Sequence, residues 1–178
     1  IIVDLTEAVK GYGQAYVQLQ WLLFDAPHVM GVRSITLTGN TAGIDASSGG
    51  SSKMTVTNVQ SFTSLPVGEV SKETIGAEKC ANLVFGLNRT PLLTAAKSGE
   101  DAYAIWKIEA AEGETFDDGY LTLVGKTGFV DAAKKDSSFL KVTISTDGES
   151  YSEVQTLQAT EDNTDTQKFA MDLTNYIY

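Results

Sequence analysis

One stretch in the last third of the chain constrains the fold more than any other. Residues 139–157 read FLKVTISTDGESYSEVQTL, in which Leu140, Val142 and Ile144 alternate with more polar neighbours before Asp147-Gly148. Strict alternation is typical of a half-buried strand, and Asp-Gly between two such runs favours a hairpin. The stretch therefore predicts antiparallel β structure with one apolar face and one solvent-exposed face.

Similar runs recur along the chain. β-like patterns predict strands over 15–24, 32–38, 54–62, 82–87, 102–110, 119–125 and 169–178. In 15–24 the predicted apolar face consists of Ala15, Val17, Leu19, Trp21 and Leu23. Many short strands separated by turn signals predict an all-β antiparallel sandwich.

Two further details of the strand assignment follow from the same alternation. In 32–38 we expect Val32 and Ser34 on the face opposite to Ile35 and Leu37. In 102–110 we expect Trp106, with Ala104 and Ile108, opposite to Tyr103, Ile105 and Lys107.

The segments between these runs are expected to be connections. The Gly- and Ser-rich residues 39–53 predict a loop or linker, 71–80 a short helix, and 89–99 a long loop. Residues 126–137 and 158–167 predict polar loops, the second of them acidic.

Composition excludes several classes of partner. The 178 residues include 23 acidic and 13 basic side chains, for a net charge of -10. This charge argues against nucleic acid and against an anionic membrane surface, which both attract basic proteins. No apolar run is long enough to predict membrane insertion. Neutral sugars, cations and other proteins remain as ligand classes.

The single cysteine and the single histidine give no catalytic signal. Cys80 allows no intrachain disulfide and is expected to be a small buried hydrophobe, far in sequence from His28. We expect the neighbouring acids Asp117-Asp118 and Glu112/Glu114 to be solvated around a turn. Glycosidase acids need a cleft, so we do not expect these acids to be catalytic. The chain also has no nucleophile elbow and no phosphate loop, so we expect no enzyme activity.

Acidic loops offer oxygen ligands that suit calcium. Glu161, Asp162, Asn163 and Asp165 lie within five residues, and Asp45 lies in the Gly-rich loop. The candidate metal ligands are Asp162, Asp165 and Asp45, and the alternative is a solvated acidic loop.

Sugar binding needs aromatic faces surrounded by polar side chains. Trp21 and Trp106 lie on the apolar faces of their strands, so we expect them in the core. Better candidates for ligand binding are expected in loops: Tyr12, His28, Asn88, Arg89, Tyr103 and Tyr120.

Three pieces of the chain together carry a family resemblance. They are WKIEA at 106–110 with the strand at 120–124, LKVTISTDG at 140–148, and FAMDLT at 169–174. In this order they resemble galactose-binding-like β-sandwiches, the jelly-roll modules found beside glycoside hydrolases and in secreted adhesins. The resemblance covers about 75 residues, and its motifs are structural rather than ligand-specific.

The resemblance implies a function and a location. It implies a non-catalytic carbohydrate-binding accessory module of a larger protein, extracellular or at the cell surface, with adjacent domains and a glycan or polysaccharide ligand. A structural Ca²⁺ is common in such modules. The alternative function is a structural or adhesive β-sandwich that contacts other proteins.

A short internal repeat leaves the domain boundaries open. VDLT at 3–6 matches MDLT at 171–174, and the first copy is followed by predicted strands that could close a sandwich. Residues 1–178 are predicted to form a single module. The alternative assigns 1–40 to the closing strands of a preceding module and 54–178 to a second one.

Overall fold

The computed structural model describes residues 1–23, 29–43, 54–87, 91–128 and 138–158. In those residues the chain forms two antiparallel sheets that pack as a β-sandwich. The elements are β1 (Ile2–Asp4), α1 (Thr6–Val9), β2 (Gln14–Leu23), β3 (Val29–Gly43), β4 (Met54–Ser61), β5 (Gly68–Glu69), β6 (Lys79–Ala81), β7 (Leu83–Phe85), β8 (Leu93–Ala95), β9 (Ala102–Glu109), β10 (Glu114–Phe116), β11 (Tyr120–Gly128), β12 (Ser138–Ser145) and β13 (Ser152–Gln158).

The smaller sheet contains the hairpin predicted from the sequence. Its strand order is β13-β12-β2-β9-β6. Strands β12 and β13 are antiparallel neighbours, and Gly148 in their connection has a φ of 79°. The predicted hairpin is confirmed. Strand β2 lies between β12 and β9, so residues 14–23 hydrogen-bond directly to the strands whose order carries the family resemblance.

The larger sheet is built around β3. Its main path is β1-β11-β3-β8-β7-β5, and β10 and β4 also pair with β3. Strands β11 and β10 follow one edge of β3, while β8 and β4 follow the other. Every described pairing in both sheets is antiparallel, which confirms the all-β antiparallel sandwich.

The core lies between the sheets and follows the alternation of the sequence. Val17, Leu19 and Trp21 of β2 are buried, and Trp106 of β9 is also fully buried. Burying an aromatic side chain of this size contributes several kcal/mol, so the tryptophans are a major part of the core. The prediction that Trp21 and Trp106 are core residues is confirmed.

One predicted face is wrong because of a β-bulge. The pairing of β3 with β11 shifts register between Val124 and Gly125, which pair with Ser34 and Val32 and leave Arg33 as the extra residue. A bulge moves the side chains after it to the opposite face. Val32 is therefore buried on the same side as Ile35, and not on the opposite side as alternation predicts.

Three predicted connections also differ from the structure. Strand β3 continues to Gly43, five residues into the predicted linker, because β10 and β4 pair with it there. Strand β8 lies within the predicted loop 89–99, and β11 continues to Gly128. Short strands such as β8 carry too few residues for a periodic signal.

The predicted helix over 71–80 is replaced by turns and by β6. Gly76 takes a left-handed φ of 61°, and its neighbour Ala77 donates its backbone N–H to Lys72 O at 2.8 Å. A left-handed residue ends an α-helix, so the segment closes as a turn.

Cys80 lies on β6, half-buried and packed against the core. Burial, followed by the nearby Glu73 carboxylate, raises the pKa of its thiol. The thiol is therefore neutral and weakly nucleophilic at neutral pH. His28, the single histidine, lies outside the described residues.

Candidate functional site

The outer face of the five-stranded sheet carries polar and aromatic side chains. Tyr16 of β2 lies opposite Lys107 of β9, and Gln20 lies opposite Tyr103. Gln18, between them on β2, accepts a hydrogen bond from Thr143 Oγ1 of β12 at 3.0 Å. Tyr16 and Tyr103 thus lie on one face, separated along the strands by about 13 Å at the rise of a β-strand.

The turn of the β12–β13 hairpin is held in one shape by Asp147. Its Oδ1 accepts hydrogen bonds from Ser145 Oγ at 2.7 Å and from the backbone N–H groups of Glu149 and Ser150, both at 2.8 Å. The backbone N–H groups of Ser150 and Glu149, followed by the Ser145 hydroxyl, lower the pKa of Asp147 to about 2. The carboxylate therefore stays ionised at neutral pH.

This turn folds onto Tyr16. A Cβ atom at Gly148 would lie 3.2 Å from Cζ of Tyr16, which is closer than most Cβ contacts. Gly148 therefore serves two needs, a left-handed backbone and a close approach to the ring. The hairpin turn becomes a wall above the outer face of the sheet.

A groove of about 300 Å³ lies between this turn and the sheet. The turn contributes Asp147, Gly148, Glu149 and Tyr151. The sheet side contributes Tyr16, Glu78, Lys79 and Ile105. We call this site the tyrosine groove. Its volume lies at the lower end of the range found for small-molecule sites.

The far wall of the tyrosine groove is fixed by main-chain pairing. Lys79 of β6 lies opposite Ile105 of β9, and the N–H of Glu78 donates to Ile105 O at 2.8 Å. Ile105 faces outward but is only 6% exposed. Its side chain forms the apolar floor of the groove. The floor and both walls thus belong to paired strands and a hydrogen-bonded turn.

Besides Asp147, two groups in or beside the tyrosine groove have shifted pKa values. Partial burial, followed by the nearby Tyr16, Asp147 and Tyr103, raises the pKa of Tyr151. The hydrogen bond to Glu109 is the main cause of the raised pKa of Lys107, whose Nζ lies 5.4 Å from the centre of the Tyr16 ring. Tyr151 is therefore a neutral hydrogen-bond donor, and Lys107 a fixed cation, at neutral pH.

A second cavity is too small for a ligand. It lies near the end of the core beside α1, has a volume of about 10 Å³, and is lined by Leu5, Val9 and Phe116 among others. A single water molecule needs at least that much space. The tyrosine groove is the better candidate of the two.

The acids expected to be solvated around 112–118 have structural partners. Asp118 accepts hydrogen bonds from the backbone N–H and the side-chain amide of Asn40, both at 2.9 Å. Glu114 accepts one from the Thr41 hydroxyl at 2.6 Å. Both residues are half-buried, so the expectation of solvated carboxylates holds only in part, and their hydrogen bonds tie β3 to the segment around β10.

The structure separates the tyrosines predicted to bind ligand. Tyr103 lies on the outer face of the five-stranded sheet and is close enough to Tyr151 to affect its pKa. Tyr120 is an exposed residue of β11 in the other sheet, and Tyr12 is exposed in the turn before β2. Of the three, only Tyr103 lies near the tyrosine groove.

The remaining predicted site residues lie outside the described residues. These are His28, Asn88, Arg89, Asp45, Asp162 and Asp165, together with Glu161 and Asn163. Within the ranges that the structure describes, no three His, Cys, Asp or Glu side chains come together as a metal site. Nor does any helix there have the length and apolar character needed to cross a membrane.

Sequence reasoning missed the residues that form the centre of the groove. Tyr16 lies on the polar face of the predicted strand 15–24, and Tyr151 follows the Asp-Gly turn that the hairpin motif already marks. Both signals were present in the sequence, but only the pairing of β12 with β2 brings the two tyrosines together.

Comparison with known proteins adds no relative. The chain matches no family model, no curated protein and no solved structure. The tyrosine groove and its surroundings are therefore the features that indicate a function.

Proposed function

We propose that this chain is a non-catalytic carbohydrate-binding module of a larger extracellular or cell-surface protein. The observation that carries the proposal is the tyrosine groove, in which Tyr16 and Tyr151 share a volume of about 300 Å³ with charged side chains. Aromatic surfaces beside polar groups are what a sugar ring needs, since it has apolar C–H faces and hydroxyl edges.

Hydrogen-bonding groups around the rings suit the hydroxyl edges. Asp147 and Glu149 supply acceptors on the turn, and Lys79 supplies donors on the opposite wall. Tyr151 stays protonated and can donate or accept. A sugar hydroxyl both donates and accepts, so it finds partners on both sides of the groove.

The groove is rigid, and this favours tight binding of a ligand. The turn is closed by hydrogen bonds to Asp147 Oδ1, and the floor is part of paired strand β9. Groups that are already ordered lose little conformational entropy when a ligand binds. In a larger protein such a module would raise the local concentration of a neighbouring domain at its glycan.

Two further expectations belong to the same proposal. Kinship with the galactose-binding-like jelly-roll modules is supported by the sandwich and by the confirmed hairpin. A structural Ca²⁺ held by Asp45, Asp162 and Asp165 stays a prediction from the sequence.

Glycan binding by tyrosine variants tests the function. We expect a panel of soluble oligosaccharides and immobilised polysaccharides to contain a ligand, and Tyr151→Ala to weaken its binding about five- to 150-fold, given the ~1–3 kcal/mol typical of an aromatic stacking contact. Tyr120→Ala is the matched control, because Tyr120 is an exposed tyrosine of the other sheet. Absence of binding to the whole panel, or equal losses in both variants, would contradict the proposal.

A second function, protein contact, is favoured by the outer face of the larger sheet. Ile2, Thr122, Thr36 and Val59 lie opposite one another across β1, β11, β3 and β4. Ile2 and Val59 are exposed by 57% and 59%, respectively. Exposed apolar side chains on the outer face of a sheet, here separated by two threonines, favour this face as an interaction surface.

Sedimentation of the purified chain tests this second function with the simplest partner, a second copy. Protein contact through this face predicts association that increases with concentration and is lost in Val59→Lys. A monomer at all concentrations would contradict self-association through this face. If glycan binding also depends on Tyr151, carbohydrate binding is then the one function supported.

A further inference from the structure

We infer that the tyrosine groove selects a saccharide carrying a protonated amine over the same saccharide in neutral or acidic form. This inference rests on the proposed carbohydrate-binding function and adds the chemical class of its ligand. Three features support this selectivity: the charges lining the groove, its aromatic rings, and the Lys107 ammonium group that lies over the Tyr16 ring.

The lining of the groove is net negative. Glu78, Asp147 and Glu149 line the groove together with a single lysine, Lys79, so the lining has three acidic residues and one basic residue. Lys107 lies beside Tyr16, but its Nζ is 2.5 Å from Glu109 Oε1, and this pairing neutralises its charge locally. The excess of carboxylates therefore remains at neutral pH, in a chain whose net charge is -10.

The carboxylate of Asp147 has a fixed orientation. Its Oδ1 is occupied by Ser145 Oγ and by two backbone N–H groups of the turn. The position of this negative charge at the edge of the groove is therefore set before any ligand arrives, and a cation gains the attraction without ordering the side chain.

Aromatic rings add attraction for a cation. The face of a tyrosine ring carries partial negative charge and attracts ammonium groups within about 6 Å of its centre. Lys107 Nζ already lies 5.4 Å from the centre of the Tyr16 ring. The Tyr16 ring thus already contacts an ammonium group of the protein itself, and Tyr151 lines the groove as a second ring for the ammonium group of a ligand.

The same charges disfavour acidic saccharides. A uronate carboxylate in the groove would face three like charges, and only Lys79 would attract it. Like charges within one groove repel each other in water, and they repel more strongly where solvent is partly excluded. An N-acetylated amine avoids repulsion but loses the attraction, so we expect intermediate affinity for it.

Titration calorimetry with three matched trisaccharides tests the inference: a glucosamine trimer, its N-acetylated form and a galacturonic acid trimer. At pH 6 we expect the amine form to bind about tenfold more tightly than the N-acetylated form, and the acidic form to bind most weakly. The preference should shrink in 0.5 M NaCl, because salt screens charge interactions over a few ångströms.

Two isosteric variants locate the effect. Glu78→Gln and Glu149→Gln each remove one charge from the groove and should each lower the preference for the amine form several-fold. Glu7→Gln is the matched control, since Glu7 is an exposed carboxylate of α1 and lies outside the groove. An equal decrease in the control would assign the preference to the total charge of the protein and overturn the inference.

The possible outcomes separate this inference from the proposed function. Equal binding of the amine and N-acetylated trimers would overturn the selectivity and leave carbohydrate binding intact. Binding of none of the three, nor of any glycan in the wider panel, would overturn both. Choline serves as a non-sugar cation: choline binding without glucosamine binding would overturn the inference, because the groove would then recognise an ammonium group apart from any saccharide.

Discussion

Strands β2 and β9 have two faces, which are formed by alternate residues of the same two strands and differ in composition. The inner face, with Val17, Trp21 and Trp106, is almost completely buried. The outer face, with Tyr16 and Tyr103, is half-exposed and contributes to the surroundings of the tyrosine groove. A strand directs alternate side chains to opposite faces, so one sequence serves the core and the candidate site together.

The comparison shows that the two faces depend on different information. Burial of the inner face needs only a partner sheet, and any apolar side chains of suitable volume supply it. The groove on the outer face needs Tyr16 and the turn at Asp147 to meet, and these are brought together by the pairing of β2 with β12. Changes to the inner face should therefore affect stability, and changes to the outer face mainly binding.

The largest expected effect is the loss of Trp106. Its side chain is fully buried, packs 6.2 Å from the ring of Phe62, and donates Nε1–H to Ile75 O at 3.0 Å. Trp106→Ala should lower the free energy of unfolding by about 3–5 kcal/mol in urea denaturation. Tyr103→Ala, three residues away on the outer face, is the control and should cost much less. Similar losses in both variants would break the distinction between the faces.

A smaller loss is expected at the turn that forms one wall of the groove. Gly148→Ala places a Cβ at a φ of 79° and 3.2 Å from Tyr16 Cζ. The left-handed conformation alone should cost about 1–2 kcal/mol in unfolding free energy. Adding Tyr16→Ala should recover the steric part of the loss but not the backbone part. A neutral Gly148→Ala variant would show that the turn is free to open away from the ring.

The two buried tryptophans allow a finer comparison within the inner face. Trp106 donates its Nε1–H to Ile75 O, whereas buried Trp21 Nε1 has no hydrogen-bond partner among the described residues. Trp106→Phe leaves a buried carbonyl unpaired, while Trp21→Phe removes a donor that is already unpaired. We expect Trp106→Phe to cost about 1–2 kcal/mol more unfolding free energy than Trp21→Phe. The reverse order would mean that cavity size outweighs the hydrogen bond.

The sequence predicts the inner face much better than the outer one. Alternation places Trp21 and Trp106 in the core because burial follows a period of two. It misplaces Val32, because the bulge at Arg33 changes the face without a signal in composition. A single inserted residue in the pairing is enough to reverse a prediction that is otherwise sound.

The candidate site could be predicted only in part for a related reason. Tyr103 is predicted as a ligand-binding residue of a loop, but it lies on strand β9, close to the groove. Tyr16 and Tyr151 are 135 positions apart, and the sheet order β13-β12-β2-β9-β6 is what makes them neighbours. Local patterns predict strands and turns, but they do not specify which strands become neighbours across such distances.

The smallest expected effect concerns acid and the hairpin turn. Hydrogen bonds from the Ser150 and Glu149 N–H groups lower the pKa of Asp147 from 3.8 to about 2 in the folded chain. A lowered pKa means that the ionised carboxylate stabilises the fold above about pH 4 and that this contribution disappears as pH falls toward about 2. Asp147→Asn keeps an oxygen acceptor but removes the charge. Its melting temperature should therefore lie below that of the parent chain at pH 7 and approach it at pH 2. A carboxyl that titrates near 4 by NMR, or a difference that persists at pH 2, would mean that the turn does not hold Asp147 as an ionised acceptor, and the wall of the groove would lose its fixed charge.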